Sequence, residues 1–312
     1  EAAAAVSASL GGGKEVTDTM KMAFIPMSTA GQVTAICQLA ADDIMNSYAD
    51  CTIEFFDAGF DPNTQITLIN ECITQGYDCI VLECADSTAV GPVIKEAEEA
   101  GVAVITFNLN CDQVHTMYVK CDSYSGGTVS AKAMMELLDN KGKILLLDVP
   151  AAQAVTTTFC AAFEDYVNAN TEGEILEYIN LAGNAQEDAY NTMRDLLTKY
   201  DEIDGVYCPD DNYAMGVYQA IQEAGRENEG ILIWGTDICP GGIEAIRTGK
   251  IAGSCWADRY SALHEAFQYG VYCAQLGLNS VSGGYTKTPV IYADFTAITA
   301  ANLEEMVPLT RW

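Results

Sequence analysis

Polar side chains stand directly after several apolar runs of this 312-residue chain, where carboxylates and amides could bind a ligand. They are Asn108 after VITF, Asp122 after YVKC, Asp210 after VYCP, Asp237 after IWGT and Asp258 after SCWA. A carboxylate accepts hydrogen bonds in fixed directions, so several of them converging on one place suit a ligand rich in hydroxyl or amine donors. The alternative is that each of these residues caps a following helix, and both interpretations stay open for all five.

The elements that must position these side chains are clearest at residues 66–108, where helical spacing alternates with continuous apolar runs at 80–82 and 102–105. Continuous apolar runs indicate strands that are covered on both faces. Gly76 and Gly101 stand where a left-handed residue would close each helix. The segment therefore predicts helix, strand, helix, strand in a parallel sheet, and the carboxyl edge of such a sheet is where ligands bind.

The same alternation continues over most of the chain. Further candidate strands lie at 22–26, 51–55, 117–121, 144–149, 174–179, 205–208, 231–235 and 252–256. Because the chain is about twice as long as a usual domain, we expect two α/β lobes with parallel sheets rather than a single sheet.

Composition narrows the class of protein. The apolar fraction of 49% is ample for two cores, and no segment has the roughly eighteen consecutive apolar residues of a membrane span. Acidic residues outnumber basic ones 44 to 15, and the formal net charge is −29. Such a charge makes phosphate-backbone binding improbable, so nucleic acid is excluded as a partner.

Residues 1–17 read EAAAAVSASLGGGKEVT, which is small and flexible without periodicity. We expect a flexible tether there, because the segment has neither the basic start nor the long apolar centre of a signal peptide. A mature exported protein whose signal has been removed would have such a segment, although residues left over from cloning would look similar.

The twelve cysteines match no CxxC or zinc spacing, and most are expected in the core as small hydrophobes. Cys111 with Cys121 is the one pair to test for a disulfide. The sequence has no GxSxG, HExxH, Walker or post-strand GxGxxG motif, and its two histidines have no obvious cysteine or serine partner. We therefore expect no catalytic residue, no cofactor and no metal.

Five segments together resemble the periplasmic binding proteins of the ribose and galactose type, the solute-binding components of ABC importers. They are MAFIPMSTAGQ, QGYDCIVLECADSTAVGPVIKEAEEAGVAVITFN, CDSYSGGTVSAKAM, GVYCPDDNYAMGVYQAIQEAG and ILIWGTDICPGGIEAIRTGKIAGSCWAD. The resemblance spans nearly everything from Lys21 to Leu303. It implies two similar Rossmann-like lobes joined by a three-segment hinge, with a ligand clamped as the lobes close; this family is itself a standard example of hinge closure.

The resemblance also implies where the chain crosses between the lobes: near 121–123, 254–256 and 281–286. The N-terminal lobe would hold residues 18–122 and 256–283, and the C-terminal lobe residues 123–255 and 284–312.

The family's binding positions carry over to particular residues of this chain. The implied ligand contacts are Ser28, Thr29, Gln32, Asn108, Asp122, Thr158, Phe159, Asp210, Asp237, Trp256 and Asp258. Asn108 stands where the family usually has an aspartate. Trp256 offers a flat apolar face for a ring, although packing near the hinge is an equal alternative.

Two departures from the sugar-binding branch bear on the ligand. The family's arginine after the sixth strand is replaced by Thr157, Thr158 and Phe159, and its first-loop aromatics are replaced by STAGQVT. The autoinducer-binding branch matches at Pro209 and Asp210, but its first-loop lysine is Met27 here. With few basic groups at these positions, the expected ligand is neutral or cationic, such as a polyol, modified sugar or nucleoside.

The function implied by the resemblance is binding alone, with the closed form presented to an ABC transporter permease. The protein is expected to be a monomer outside the cytoplasm, in the periplasm or at the cell surface, with lipid anchoring left open. A receptor module that feeds a sensor kinase, and an enzyme acting in the same cleft, stay open as alternatives. A LacI-type repressor is not expected, because the first twenty residues are too short and acidic for a helix-turn-helix.

Overall fold

All ten strands predicted from apolar runs are present, within about two residues, in the computed structural model, which describes residues 19–29, 33–149, 154–183 and 185–310. The N-terminal tether predicted at 1–17 lies outside the described residues. Gly76 and Gly101 have φ of 70° and 92°, which confirms the left-handed helix ends expected at both positions.

The elements follow one another in regular alternation. Up to Cys121 they are β1 (Met20–Ile25), α1 (Val33–Ser47), β2 (Cys51–Phe55), α2 (Pro62–Thr74), β3 (Cys79–Leu82), α3 (Gly91–Glu99), β4 (Ala103–Phe107) and β5 (Met117–Cys121). Next come α4 (Ser123–Leu137), β6 (Lys143–Asp148), α5 (Ala154–Asn170), β7 (Glu174–Asn180), α6 (Gln186–Lys199), β8 (Gly205–Tyr207), α7 (Asp211–Glu223), a 3-10 turn (Glu227–Glu229), β9 (Leu232–Thr236), α8 (Pro240–Arg247) and β10 (Gly253–Ala257). The last are α9 (Arg259–Leu276), β11 (Val290–Ala293), β12 (Phe295–Thr299) and α10 (Leu303–Thr310).

The described chain divides into two compact units, and unit 1 comprises the residues up to Cys121 together with Arg259–Ala293. It is built on a six-stranded sheet with the order β11-β5-β4-β3-β1-β2, in which every pair of neighbours is parallel. β3 and β4 are buried along their whole length, which explains their continuous apolar sequences. Helix α9 packs on β3, β4 and α1, and α2 packs on α3.

Unit 2 comprises Asp122–Asp258 and the residues from Asp294 onward. It is built on a second six-stranded sheet with the order β12-β10-β9-β8-β6-β7. Its strands are parallel except for β12, which runs antiparallel to β10 at the edge. The prediction of parallel sheets is thus corrected at this edge. β11 and β12 were not predicted, because both are only partly buried and they follow one another with no helix between them.

The boundaries of the two units differ from the predicted ones. Unit 1 ends at Cys121 and resumes over Arg259–Ala293, and unit 2 takes Asp122–Asp258 and the residues from Asp294 onward. The chain stays in unit 1 ten residues beyond the predicted 283, since Val290–Ala293 pairs with β5 of that unit. Residues up to Asp258 remain in unit 2, because Gly253–Ala257 pairs with β9 and β12.

All twelve cysteines are in the described part of the chain, and all are free thiols, ten of them buried. The Cys111–Cys121 pair considered from the sequence is therefore not a disulfide in the structure. The Cys111 sulfur instead lies 3.6 Å from the carbonyl of Gln113 and 3.7 Å from Nδ1 of the buried His115. No helix among the described residues is long and apolar enough to cross a bilayer.

One buried carboxylate ties several elements of unit 1 together. Glu98, which is 2% exposed, accepts at Oε1 from the backbone of Val104 at 3.0 Å, the backbone of Thr116 at 2.7 Å and the Thr116 hydroxyl at 2.8 Å. Its Oε2 accepts from the backbone of Ser280 at 2.7 Å and from the Ser280 hydroxyl at 2.8 Å. This side chain therefore connects α3 with β4, the start of β5 and the loop after α9.

Replacing this carboxylate should destabilise unit 1 strongly. Glu98→Ala leaves five buried donor groups without their acceptor, so we expect the free energy of unfolding in urea to fall by about 3 kcal/mol or more. The control is Glu99→Ala, whose exposed carboxylate pairs with Lys95, and it should cost less than about 0.5 kcal/mol. Equal losses for the two variants would contradict the assignment.

Candidate functional site

The carboxyl ends of β1, β3 and β4 line a pocket of about 220 Å³ in unit 1. Two predicted residues, Ser28 and Asn108, line it. Among the described residues, the lining is Phe24, Pro26, Met27, Ser28, Thr34, Cys37, Phe60, Glu83, Asn108, Leu109 and Arg259. Apolar walls with a few polar groups are typical of pockets that bind small ligands.

Asn108 is held in a fixed orientation at the end of β4. Its φ is 58°, a left-handed conformation that Asn tolerates better than most residues. Its backbone N–H donates to the carbonyl of Val119 at 2.9 Å, and its own carbonyl accepts from the Tyr118 hydroxyl at 2.9 Å. The side-chain amide donates to Oε1 of Glu83 at 3.1 Å. The pocket thus presents an amide and a carboxylate that orient each other.

Two charged residues of this pocket, Glu83 and Arg259, were missed from the sequence. Glu83 follows β3 directly, so the strand-end criterion that selected Asn108 could have found it. Arg259 begins α9, next to the predicted Asp258. Both charges affect the thiol of Cys37, whose pKa is raised to about 12, chiefly by burial and also by Glu83, while Arg259 opposes the increase. The pocket therefore contains one acidic and one basic side chain rather than acidic groups alone.

The other two residues predicted in the first loop, Thr29 and Gln32, are not among the lining residues described above. The Thr29 hydroxyl donates to Oδ2 of Asp57 at 2.7 Å, and this bond, followed by the Gly59 N–H, lowers the pKa of Asp57. Thr29 thus fixes the loops around the pocket instead of lining it. Gln32 lies outside the described residues.

In unit 2 the predicted Asp210 and Asp237 lie after neighbouring strands, β8 and β9, and both are half-buried. Asp210 is the N-cap of α7, and its Oδ1 accepts from the backbone N–H of Asn212 at 2.6 Å, so one of its two carboxyl oxygens caps the helix. Burial raises the pKa of Asp210; the Asn212 N–H opposes this, and the charge of Asp237 adds to it. The two carboxylates are therefore close enough to influence each other.

A third carboxylate beside them, Asp211, was also missed. It is 1% exposed, and its pKa is raised to about 8, chiefly by burial. The Ser254 hydroxyl opposes this increase in pKa, and the charges of Asp210 and Asp237 add to it. The sequence signal was the Asp-Asp doublet after VYCP, of which only the first residue was selected.

The remaining predictions are spread over unit 2. Asp122 precedes α4 without capping it through its side chain, Asp258 follows β10, and Thr158 is half-buried in α5. Phe159 is 6% exposed and meets Phe295 edge-on at 5.3 Å, while Trp256 is 7% exposed within the core. Within this unit, little of either ring is available to a ligand. Among the described residues, no group of three His, Cys, Asp or Glu side chains could hold a metal ion.

The chain matches the model of a known protein family. A model described as a periplasmic binding protein domain matches residues 23–276, so the chain belongs to the periplasmic binding protein family. The xylitol-binding protein of Mycolicibacterium smegmatis is 24% identical over 215 residues, which are 67% of this chain and 61% of that protein.

Solved structures agree with the fold. A periplasmic ribose ABC transporter protein from Conexibacter woesei has a TM-score of 0.82 at 19% identity, covering 96% of this chain and 97% of that one. A solute-binding protein from Bacillus halodurans with bound myo-inositol has a TM-score of 0.76 at 20% identity, covering 94% and 100%. The family and the two-lobed α/β fold class predicted from the sequence are confirmed.

The raised pKa of Asp211 predicts how stability depends on pH. A buried carboxyl with a pKa near 8, against 3.8 in the unfolded chain, contributes stability that is complete below pH 3.8 and lost as the pH rises through 8. Asp211→Asn removes this titration. The unfolding free energy of the wild type, relative to the variant, should fall between pH 5 and pH 8 by up to about 1.4 kcal/mol per unit.

Urea unfolding at several pH values measures this difference. Asp86→Asn is the control, because the N–H groups of Ala89 and Thr88 lower the pKa of Asp86 and so confine its titration to below pH 3.8. Wild-type and Asp211→Asn curves that run parallel from pH 5 to pH 8 would contradict the buried protonated state.

Proposed function

We propose that this chain is an extracytoplasmic solute-binding protein of an ABC importer that binds a small polyhydroxylated ligand, such as a sugar or polyol. The pocket of unit 1 is the observation that carries the proposal. Ser28, Asn108, Glu83 and Arg259 offer hydrogen-bond donors and acceptors beside apolar walls, and a mutual bond orients Asn108 and Glu83. A ligand with many hydroxyl groups can satisfy such a mixed set, since each hydroxyl both donates and accepts. Family membership supports the transport role.

The charges of the two units support a neutral or cationic ligand rather than an anion. Glu83 and Arg259 offset each other in the pocket of unit 1. Asp210 and Asp237 of unit 2 offer carboxylate oxygens, which bind hydroxyl or ammonium donors and repel anions. The proposed ligand-binding residues are therefore Ser28, Glu83, Asn108, Asp210, Asp237 and Arg259.

Phe60 is a further ligand contact that we propose in this pocket. Its side chain is 65% exposed, and its φ is 59°, a conformation that is costly for a bulky residue. Two bonds hold the loop: the Phe60 N–H donates to the carbonyl of Met27 at 2.8 Å, and the Gly59 N–H donates to Oδ1 of Asp57 at 2.9 Å. An exposed ring held in this way can cover the apolar C–H face of a sugar or cyclitol, in place of the aromatics that the first loop lacks.

The proposed mechanism is binding without chemical conversion. The ligand stabilises the state in which the binding residues of both units contact it, by its differential affinity for that state. An ABC permease would then take up the ligand from a monomeric binding protein outside the cytoplasmic membrane. The relatives named above are binding proteins, which is in keeping with this mechanism.

A thermal-shift screen over D-ribose, D-allose, xylitol and myo-inositol tests the function. A ligand at about a hundred times its Kd should stabilise the native state by about 2.7 kcal/mol and raise the Tm. Mass spectrometry of the ligand after incubation should show it unchanged. No shift with any of the four compounds would contradict the ligand class, and a converted ligand would contradict binding alone.

Variants of the proposed contacts should weaken binding in calorimetry. Asn108→Gly keeps the left-handed backbone while removing the amide, and Asp237→Ala removes a carboxylate; each should cost about 1 to 3 kcal/mol of affinity. Phe60→Gly should cost about 1 kcal/mol through lost apolar contact, and Phe60→Tyr should retain the affinity. Asp201→Ala, at the exposed amino edge before β8, is the control. Affinities equal to that of the control would reject the residue concerned.

A further inference from the structure

The turn that carries Asp237 has an unfavourable backbone conformation. Directly after β9, Asp237 has φ of 84° and Ile238 has φ of 51°. Positive φ is an outlier for a β-branched residue such as Ile, because its branched Cβ crowds the backbone. The Ile238 side chain is also fully buried in the core of unit 2. Surrounding contacts must therefore hold this turn in place.

Those contacts come from one buried carboxylate and one buried hydroxyl. Oδ2 of Asp211 accepts from the backbone N–H of Cys239 at 2.9 Å, and Oδ1 accepts from the Ser254 hydroxyl at 2.7 Å. The Ser254 oxygen in turn accepts from the backbone N–H of Ile238 at 3.3 Å. Asp211 is 1% exposed and Ser254 is 0% exposed, so water does not compete for these bonds. Two successive amides of the turn thus depend on Asp211.

The surrounding backbone leaves just enough room for this carboxylate. A Cβ added at Gly235 would lie 2.1 Å from Oδ1 of Asp211, and one added at Gly242 would lie 1.9 Å from Oδ2. Real Cβ atoms do not approach so closely, and the carboxylate cannot move aside without giving up its bonds to the turn. Glycine at both positions is therefore part of the same arrangement.

We propose that Asp211 is a positioning residue that, through Ser254 and the Cys239 amide, fixes the turn 237–239 and so directs Asp237 toward the ligand. The inference rests on the proposed function, in which Asp237 binds the ligand. Asp211 acts through the turn and does not itself have to contact the ligand.

Hydrogen exchange on the ligand-free protein tests the turn. Asp211→Ala should raise amide exchange at Ile238 and Cys239 at least tenfold, and Ser254→Ala should do so at Ile238. Asp211→Asn should stay close to the wild type, because its amide oxygen can still accept from Cys239. If Asp211→Ala fails to fold, Ser254→Ala and Gly242→Ala decide the question. Unchanged exchange at 238–239 in the folded variants would overturn the proposal.

A matched control separates this effect from general damage to the sheet edge. Asp148 is also a fully buried carboxylate at the end of a strand of this sheet, and it accepts from the backbone N–H of Val149 at 2.8 Å. Asp148→Ala should raise exchange near its own strand and leave the turn 237–239 as in the wild type. Equal loosening of the turn by Asp148→Ala would refute a specific role for Asp211.

A double-mutant cycle then tests positioning for binding, with whichever of the four screened compounds gives the largest thermal shift. Asp211→Ala should weaken binding at least tenfold in the wild-type background and at most twofold in the Asp237→Ala background, because it acts through Asp237. Asp211→Asn should restore most of the affinity. Equal losses in both backgrounds would refute the proposal. Failure of all four compounds to bind would count against the proposed function, while the exchange experiment would still decide the role of Asp211.

Discussion

Burial of parallel strands on both faces is the constraint on which the rest of this structure depends. A strand covered by helices on both sides is mostly apolar, and its polar side chains are found chiefly where it ends. β3 and β4 are buried throughout, and Glu83 and Asn108 are the first residues after them. Because neighbouring parallel strands end at the same edge, these side chains come together without any further device.

The two units use the same backbone arrangement at this edge. Asn108 follows β4 with φ of 58°, and Asp237 follows β9 with φ of 84°. Each donates its backbone N–H to a carbonyl of the neighbouring strand, Val119 in one case and Cys255 in the other. A left-handed residue at the strand end turns the chain sharply, so that the following side chains stay near the edge. The units differ in the carboxyl group that bonds to the turn: the half-buried Glu83 in unit 1 and the buried Asp211 in unit 2.

The sequence predicted those parts of the fold that follow from local patterns. The alternation of helical spacing with strand-like segments located ten strands, and Gly76 and Gly101 marked two helix ends correctly. β11 and β12 were missed because they are partly buried and follow one another with no helix between them, outside the alternation that located the other strands. The predicted unit boundaries were wrong for the same reason, since the chain returns to unit 1 through β11. No local signal could show that Val290–Ala293 pairs with β5, since this contact joins residues far apart in the chain.

The candidate site was predictable where strand-end polarity is the signal and unpredictable where tertiary packing decides. Ser28 and Asn108 line the pocket of unit 1, whereas Phe159 and Trp256 are largely occupied by packing in unit 2. Arg259 reaches the pocket from a helix start, and Phe60 from a strained loop; neither position follows from periodicity. Asp211 stands beside a selected residue, but its role depends on Gly235, Gly242 and Ser254, which only the fold brings together.

The most direct test of this account is the map of amide chemical-shift changes when a polyol from the screen is added to the isotope-labelled protein. We expect the largest changes at the carboxyl ends of the strands, around residues 28, 83, 108, 210 and 237. Residues at the opposite ends, around 79, 103, 143 and 205, should change little. Changes concentrated at those opposite ends, or on outer helix faces, would contradict the claim that the carboxyl edges of the two sheets bind the ligand.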